Sequence, residues 1–114
     1  MFGQRKGNAP QNSIDSLIGA GTRIEGDVFF SGGLRVDGEV HGNICSENAQ
    51  GGTLVVSEKA RVEGAIRVGH VVINGTVVGP VFAAESLELL PLACVTGDVE
   101  YHKTVELKLA ASSN

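Results

Sequence analysis

The chain has 114 residues, enough for one domain, with sixteen glycines, four Phe, one Tyr, no Trp and a formal charge of −4. A centre so poor in large aromatics does not suit an ordinary compact globule, and branched aliphatics with glycine suit stacked strands better. The acidic balance argues against a surface built to neutralise nucleic-acid phosphates.

Residues 1–13, MFGQRKGNAPQNS, hold Arg5 and Lys6 and no acid, so they carry +2, whereas the remainder carries seven bases and thirteen acids. They have no apolar stretch of the kind a secretory leader needs, and no run in the chain approaches a membrane span. Met1, Phe2, Arg5 and Lys6 together read as a weak anchor for an anionic bilayer, an apolar ring for the interface and cations for the headgroups. Residues 14–110 are expected to form the folded domain, and residues 111–114 a short disordered tail like that of residues 1–13. Ser13–Ile18 is too short for a helix and runs into Gly19 and Gly21.

From Ile24 onward one pentad recurs, apolar, any, Gly, any, apolar. It reads Ile24-Glu-Gly26-Asp-Val28, Val36-Asp-Gly38-Glu-Val40, Val62-Glu-Gly64-Ala-Ile66, Ile73-Asn-Gly75-Thr-Val77 and Val95-Thr-Gly97-Asp-Val99. Twice it continues into a second copy, through Gly42 to Ile44 and through Gly79 to Val81. A longer repeat is superimposed. Residues 34–44 align with 71–81, and residues 53–64 with 86–97, shifts that fit two coils of a solenoid at roughly 17 residues each. Within a pentad the period is two, which puts Ile24, Gly26 and Val28 on a dry face and Glu25 and Asp27 on a wet one. Glycine on the dry face implies that a side chain there would strike the opposite wall. Asp37-Gly38 and Asn74-Gly75 are good hairpin turns, but Glu-Gly and Thr-Gly occupy the equivalent places, so a chain of hairpins is the lesser reading. At the far end Val105, Leu107 and Leu109 alternate with Glu106 and Lys108 as a last strand.

The expected fold is therefore all-β, a single-domain parallel β-helix of about five to six coils. Nothing polar closes either end, and an unclosed solenoid exposes core and unpaired backbone. Leu17, Ile18 and Ile24 at one end, with Val105, Leu107 and Leu109 at the other, are the expected polymerisation surfaces. The partner is then another copy of the chain, and growth does not close.

The pentad series, the β-helical core of roughly 95 residues, the short tails and the Met1-Phe2 opening with nearby cations resemble the bactofilins, polymer-forming bacterial cytoskeletal proteins. The resemblance implies a right-handed helix and nucleotide-independent, apolar filaments joined through both end faces. It also implies a scaffold in the cytoplasm, peripheral at the inner face of the cell membrane, which positions cell-wall synthesis or morphogenetic proteins.

No cofactor or metal is expected. Gly19-Ala-Gly21 does not continue to a third glycine at Ile24, and no phosphate-binding loop occurs. The enzymatic alternative is the left-handed hexapeptide-repeat class, acyltransferases and zinc carbonic anhydrases, which rely on histidine. His41, His70 and His102 read instead as surface residues, and the six-residue period of Val56, Val62 and Val68 fails at Asn74. Pectate-lyase-like helices need longer acidic loops than these. A discrete binding module that uses its flat faces is a third class. Cys45 and Cys94 form no metal or redox pattern and read as small reduced hydrophobes. Val78, Pro80, Val81 and Phe82 interrupt the polar beat and read as a packing cluster at a corner.

Overall fold

A computed structural model describes residues 14–47, 51–101 and 106–109. Among them every regular element is a strand. In chain order these are β1 (Ser16–Ile18), β2 (Arg23–Glu25), β3 (Val28–Phe30), β4 (Gly33–Val36), β5 (Glu39–His41), β6 (Ile44–Ser46) and β7 (Thr53–Val56). There follow β8 (Arg61–Glu63), β9 (Ile66–Ile73), β10 (Thr76–Val78), β11 (Val81–Leu89), β12 (Cys94–Thr96), β13 (Val99–Tyr101) and β14 (Glu106–Leu109). All ladders are parallel, each strand pairing with the equivalent strand one coil away. The result is a three-sided parallel β-solenoid of about five turns. Face 1 stacks β1, β4, β7, the second half of β9, the second half of β11 and β14. Face 2 stacks β2, β5, β8, β10 and β12. Face 3 stacks β3, β6, the first halves of β9 and β11, and β13.

The pentad is a corner. Its two apolar residues lie on different strands, and its glycine sits where one face turns into the next. Gly26, Gly42, Gly64, Gly79 and Gly97 form a column at the corner between faces 2 and 3. A Cβ on Gly64 would run into the carbonyl oxygen of Gly42, and one on Gly79 into that of Gly64. The obstruction is thus the backbone of the adjacent coil. The opposite wall, which the periodicity suggested, is not involved. Gly64 also has φ +156°, in a region that L side chains rarely adopt. Asp37-Gly38 and Asn74-Gly75 turn face 1 into face 2, and neither is a hairpin.

Corner length explains the double repeat. Between faces 1 and 2 the chain uses residues 19–22, 37–38, 57–60, 74–75 and 90–93 in successive coils. Long and short corners alternate, so equivalent coils recur every second turn. Side chains stitch some corners together. Asp27 Oδ1 accepts the Asn43 N–H at 2.9 Å, and Asn43 Oδ1 accepts the Ala65 N–H at 2.9 Å. The next position is Pro80. Ala65 offers no side-chain acceptor and Pro80 has no N–H to place, so the series stops without an unmet donor. Between Ala83 and Ser86 the ladder with β9 slips by one residue, where Ala84-Glu85 spans what Gly69 alone spans one coil earlier.

Face 1 rungs Ile18, Val36, Val56, Ile73, Leu89 and Leu109 follow at 18, 20, 17, 16 and 20 residues. A hexapeptide helix repeats at multiples of six, ~18 residues per three-sided coil. The variable steps do not favour that alternative.

Candidate assembly faces

Inward residues of the solenoid stack in columns, one residue per coil. The central column of face 1 is Ile18, Val36, Val56, Ile73 and Leu89, that of face 2 is Ile24, Val40, Val62, Val77 and Val95, and that of face 3 is Val28, Ile44, Ile66, Val81 and Val99. In the three middle coils all nine are fully buried, at 0% exposure. In the first coil Ile24 and Val28 are only half-buried, and in the fifth Leu89 and Val95 are half-buried while Val99 is 36% exposed. Each column therefore loses cover toward the ends. The backbone does the same: β1, β2 and β3 pair on one side only, as do β12, β13 and β14, among the described residues. Each end is a ring of three open strand edges around apolar side chains.

The residues expected at these ends fall as follows. Ile18 and Ile24 point inward at the first coil, Ile18 at 8% exposure and Ile24 half-buried. Leu17 lies on the outward side of face 1, opposite Arg35 in register, and is 61% exposed. It belongs to the rim of the end face. Leu107 and Leu109 occupy β14, in backbone register with Leu87 and Leu89. Val105 lies outside the described residues, as do Met1, Phe2, Arg5, Lys6 and His102. The sequence reading missed Val28, Leu89, Ala93, Val95 and Val99. Val28 and the pair Val95 and Val99 were visible as the outer members of the first and last pentads.

The lateral surfaces differ from one another. In the first three coils of face 2 the outward residues are paired along each strand: Arg23 with Glu25, Glu39 with His41, and Arg61 with Glu63. Arg23 meets Glu25 at 2.7 Å and Arg61 meets Glu63 at 2.6 Å, while His41 lies 3.1 Å from Glu39 and 3.6 Å from Glu63. These are solvent-facing pairs of small individual worth. The hydrogen bond from Arg61 holds the Glu63 carboxyl below the ordinary carboxylate range. At the neighbouring corner the Ser57 hydroxyl, then the Arg35 guanidinium, depress Asp37 likewise. A group depressed in the folded state contributes stability that is present above its unfolded pKa and lost as pH falls through the folded value. Acid unfolding below about pH 4.5 should therefore be shallower in Asp37→Asn and Glu63→Gln than in the parent, read by far-UV circular dichroism along a pH titration.

A shallow groove of about 490 Å³ lies between the long corners, lined by Arg35, Asp37, Ser57, Glu58, Lys59 and Asn74 among others. Of its two carboxylates Asp37 is already engaged by Arg35, 2.9 Å away, and no histidine lines the groove. His70 is outward, its Nδ1 2.9 Å from Ser86 Oγ. Among the described residues no cluster of His, Cys, Asp and Glu could hold a metal ion, and no helix is long and apolar enough to cross a membrane. Of the suspected corner cluster, Val81 is buried, Val78 and Pro80 are exposed, and Phe82 is half-buried under the Arg67 guanidinium, 4.6 Å from its ring centroid.

A parallel β-solenoid with stacked apolar core columns and, among the described residues, unpaired strand edges at both ends defines a class of structural protein that can extend by adding copies of itself. The chain matches the family model described as bactofilin, polymer-forming cytoskeletal, over residues 16–112, and it belongs to that family. No curated protein and no solved structure matches it.

Proposed function

We propose that this bactofilin polymerises through its two end faces, Ile18 and Ile24 with the rim residue Leu17 at one and Val105, Leu107 and Leu109 at the other, and that residues 1–13 carry the polymer to the cytoplasmic face of the membrane. The loss of cover along the central column of each face toward both ends is the observation that supports it. No nucleotide enters the scheme, because the driving force is apolar burial and completion of strand edges. Purified protein, free of nucleotide and metal, should form filaments in negative-stain micrographs. A uniform population of monomers or compact trimers would remove the reading.

The membrane part rests on composition. Phe2 at an interface is worth about 1.5–3 kcal/mol by area burial, and each of Arg5 and Lys6 adds about 1 kcal/mol near an anionic leaflet. One such tail holds marginally, whereas many along one polymer hold firmly. Phe2→Arg should cut co-sedimentation with anionic liposomes at least about tenfold while filaments still form. Undiminished pelleting by that variant would take the anchor away. At the membrane the polymer then serves as a scaffold for cell-wall or morphogenetic proteins.

A further inference from the structure

Face 3 carries an outward column that the end-to-end scheme does not use. Phe29, Cys45, Arg67, Phe82 and Glu100 stand on successive rungs. Phe29 is 67% exposed, the highest of the exposed large hydrophobic residues, and Cys45 beside it is half-buried. Arg67 stands on the rung between Cys45 and Phe82 and its guanidinium covers the Phe82 ring, so the open apolar part of the column is Phe29 with Cys45, and Phe82 lies about 14 Å from Phe29 at the usual rung spacing. Its surroundings are acidic. Asp27 and Asp98 border it at one corner, Glu47 and Glu85 at the other, and Glu100 ends it. Arg67 is the one cation on this face among the described residues. An exposed aromatic strip inside an acidic rim fits a short segment that brings an apolar ring and positive charge.

The same chain contains such a segment. Residues 1–13 hold Phe2, Arg5 and Lys6 and no acid. Their root lies at the border of this face: Asp15 N–H donates to Gly33 O at 3.0 Å, and Gly33 N–H donates to Asp15 Oδ2 at 3.1 Å, immediately after the corner that ends face 3. Eleven residues separate Phe2 from Ile14, a reach of up to roughly 40 Å, more than the strip requires. The tether also supplies a high effective concentration without any new partner.

We propose that face 3 is the docking site for residues 1–13, with Phe2 on Phe29 and Cys45 and with Arg5 and Lys6 against the acidic rim, and that the face and the membrane compete for this segment. The second part rests on the anchor reading above; the first does not. Docking keeps the apolar ring covered until a bilayer is at hand, and membrane capture uncovers face 3 along the polymer at the same moment.

The two cysteines provide the test. Cys45 lies in the strip, while Cys94 is exposed on face 2 and serves as an internal reference. Full-length protein is alkylated with uncharged N-ethylmaleimide and both sites are followed by peptide mass spectrometry. The comparison is a Phe2→Ser, Arg5→Glu, Lys6→Glu variant at the same concentration. Cys45 should react at least about threefold faster in the variant, with Cys94 unchanged. Anionic phosphatidylglycerol vesicles should raise the full-length Cys45 rate to the variant's value. Equal Cys45 rates in the two proteins overturn the docking, including the case in which both are slowed together by contact between copies. Cys45 protection that persists without any vesicle binding upholds the docking and removes only the anchor. Persistent protection in vesicle-bound filaments overturns the competition.

Discussion

Ile24→Arg is expected to reduce filaments to particles no larger than dimers while the monomer stays folded. Ile24 packs against the core from the first coil, where among the described residues only one neighbouring coil is paired with it and the side chain is half-buried. An arginine there can turn its guanidinium to solvent in the free protein. At a joint it would have to be buried, and an unpaired buried charge costs several kcal/mol. The apolar contact it replaces is worth about 1.5–3 kcal/mol for a fully buried side chain. Leu107→Arg on β14 should act in the same way at the opposite end. The size of the products carries further information. If like ends meet, as the apolar filaments of the family resemblance imply, blocking one end leaves the other joint intact and yields dimers. If unlike ends meet, every joint needs both surfaces, and either variant yields monomers. Analytical ultracentrifugation reads the difference. Filaments of normal length from both variants would remove the end faces from the assembly scheme.

Gly64→Ala should be among the most damaging single-methyl changes in the chain. Its added carbon would meet the Gly42 carbonyl, a backbone atom fixed by the ladders on both sides, at a φ of +156°. The two effects together put the cost at roughly 3–5 kcal/mol, in the range reserved for collisions and backbone strain. For a domain of this size that corresponds to a fall in Tm of at least about 10 °C. Gly19→Ala is the control. A Cβ there meets nothing within 4 Å, and the backbone has no positive φ to protect. Its Tm should stay within a few degrees, with a slight rise from the stiffer unfolded chain. A Gly64→Ala variant as stable as Gly19→Ala would mean that the glycine column has no steric basis.

These two residues show why some of the architecture was legible in the sequence and some was not. The alternation around Gly64 announced strands with one dry side, and the recurrence of the motif announced coils. Each inference needs only local sterics and counting. Whether Gly64 lay within a strand or at a corner depends on which atoms face it from the coil before. That partner, Gly42, is twenty-two residues away in sequence. The same holds for the end faces. Ile24 was legible because it opens the first motif, whereas Leu89 and Ala93 surround the distal end through coil stacking that periodicity does not reveal. Leu17 lay in the right coil but on its outer side, because the beat of a three-residue strand is too short to fix which residues turn inward. Face 3 shows the limit most clearly. Phe29, Cys45 and Phe82 have no relation in the sequence, and only the register of β3, β6, β9 and β11 brings them into line.

Every ladder in the solenoid places its N–H···O=C bonds along the axis on which the proposed end-to-end assembly adds further copies. Axial tension on a polymer of such units therefore loads these bonds end-on. Within a protomer each coil is also tied to the next by the covalent chain, a link that a joint between protomers lacks. Stretched or sheared, the polymer should fail at its joints and leave the protomers folded. On the proposed scheme the broken ends are the same surfaces that formed the joint, ready to reseal. Such a filament can be severed and rejoined mechanically, with no chemical fuel consumed.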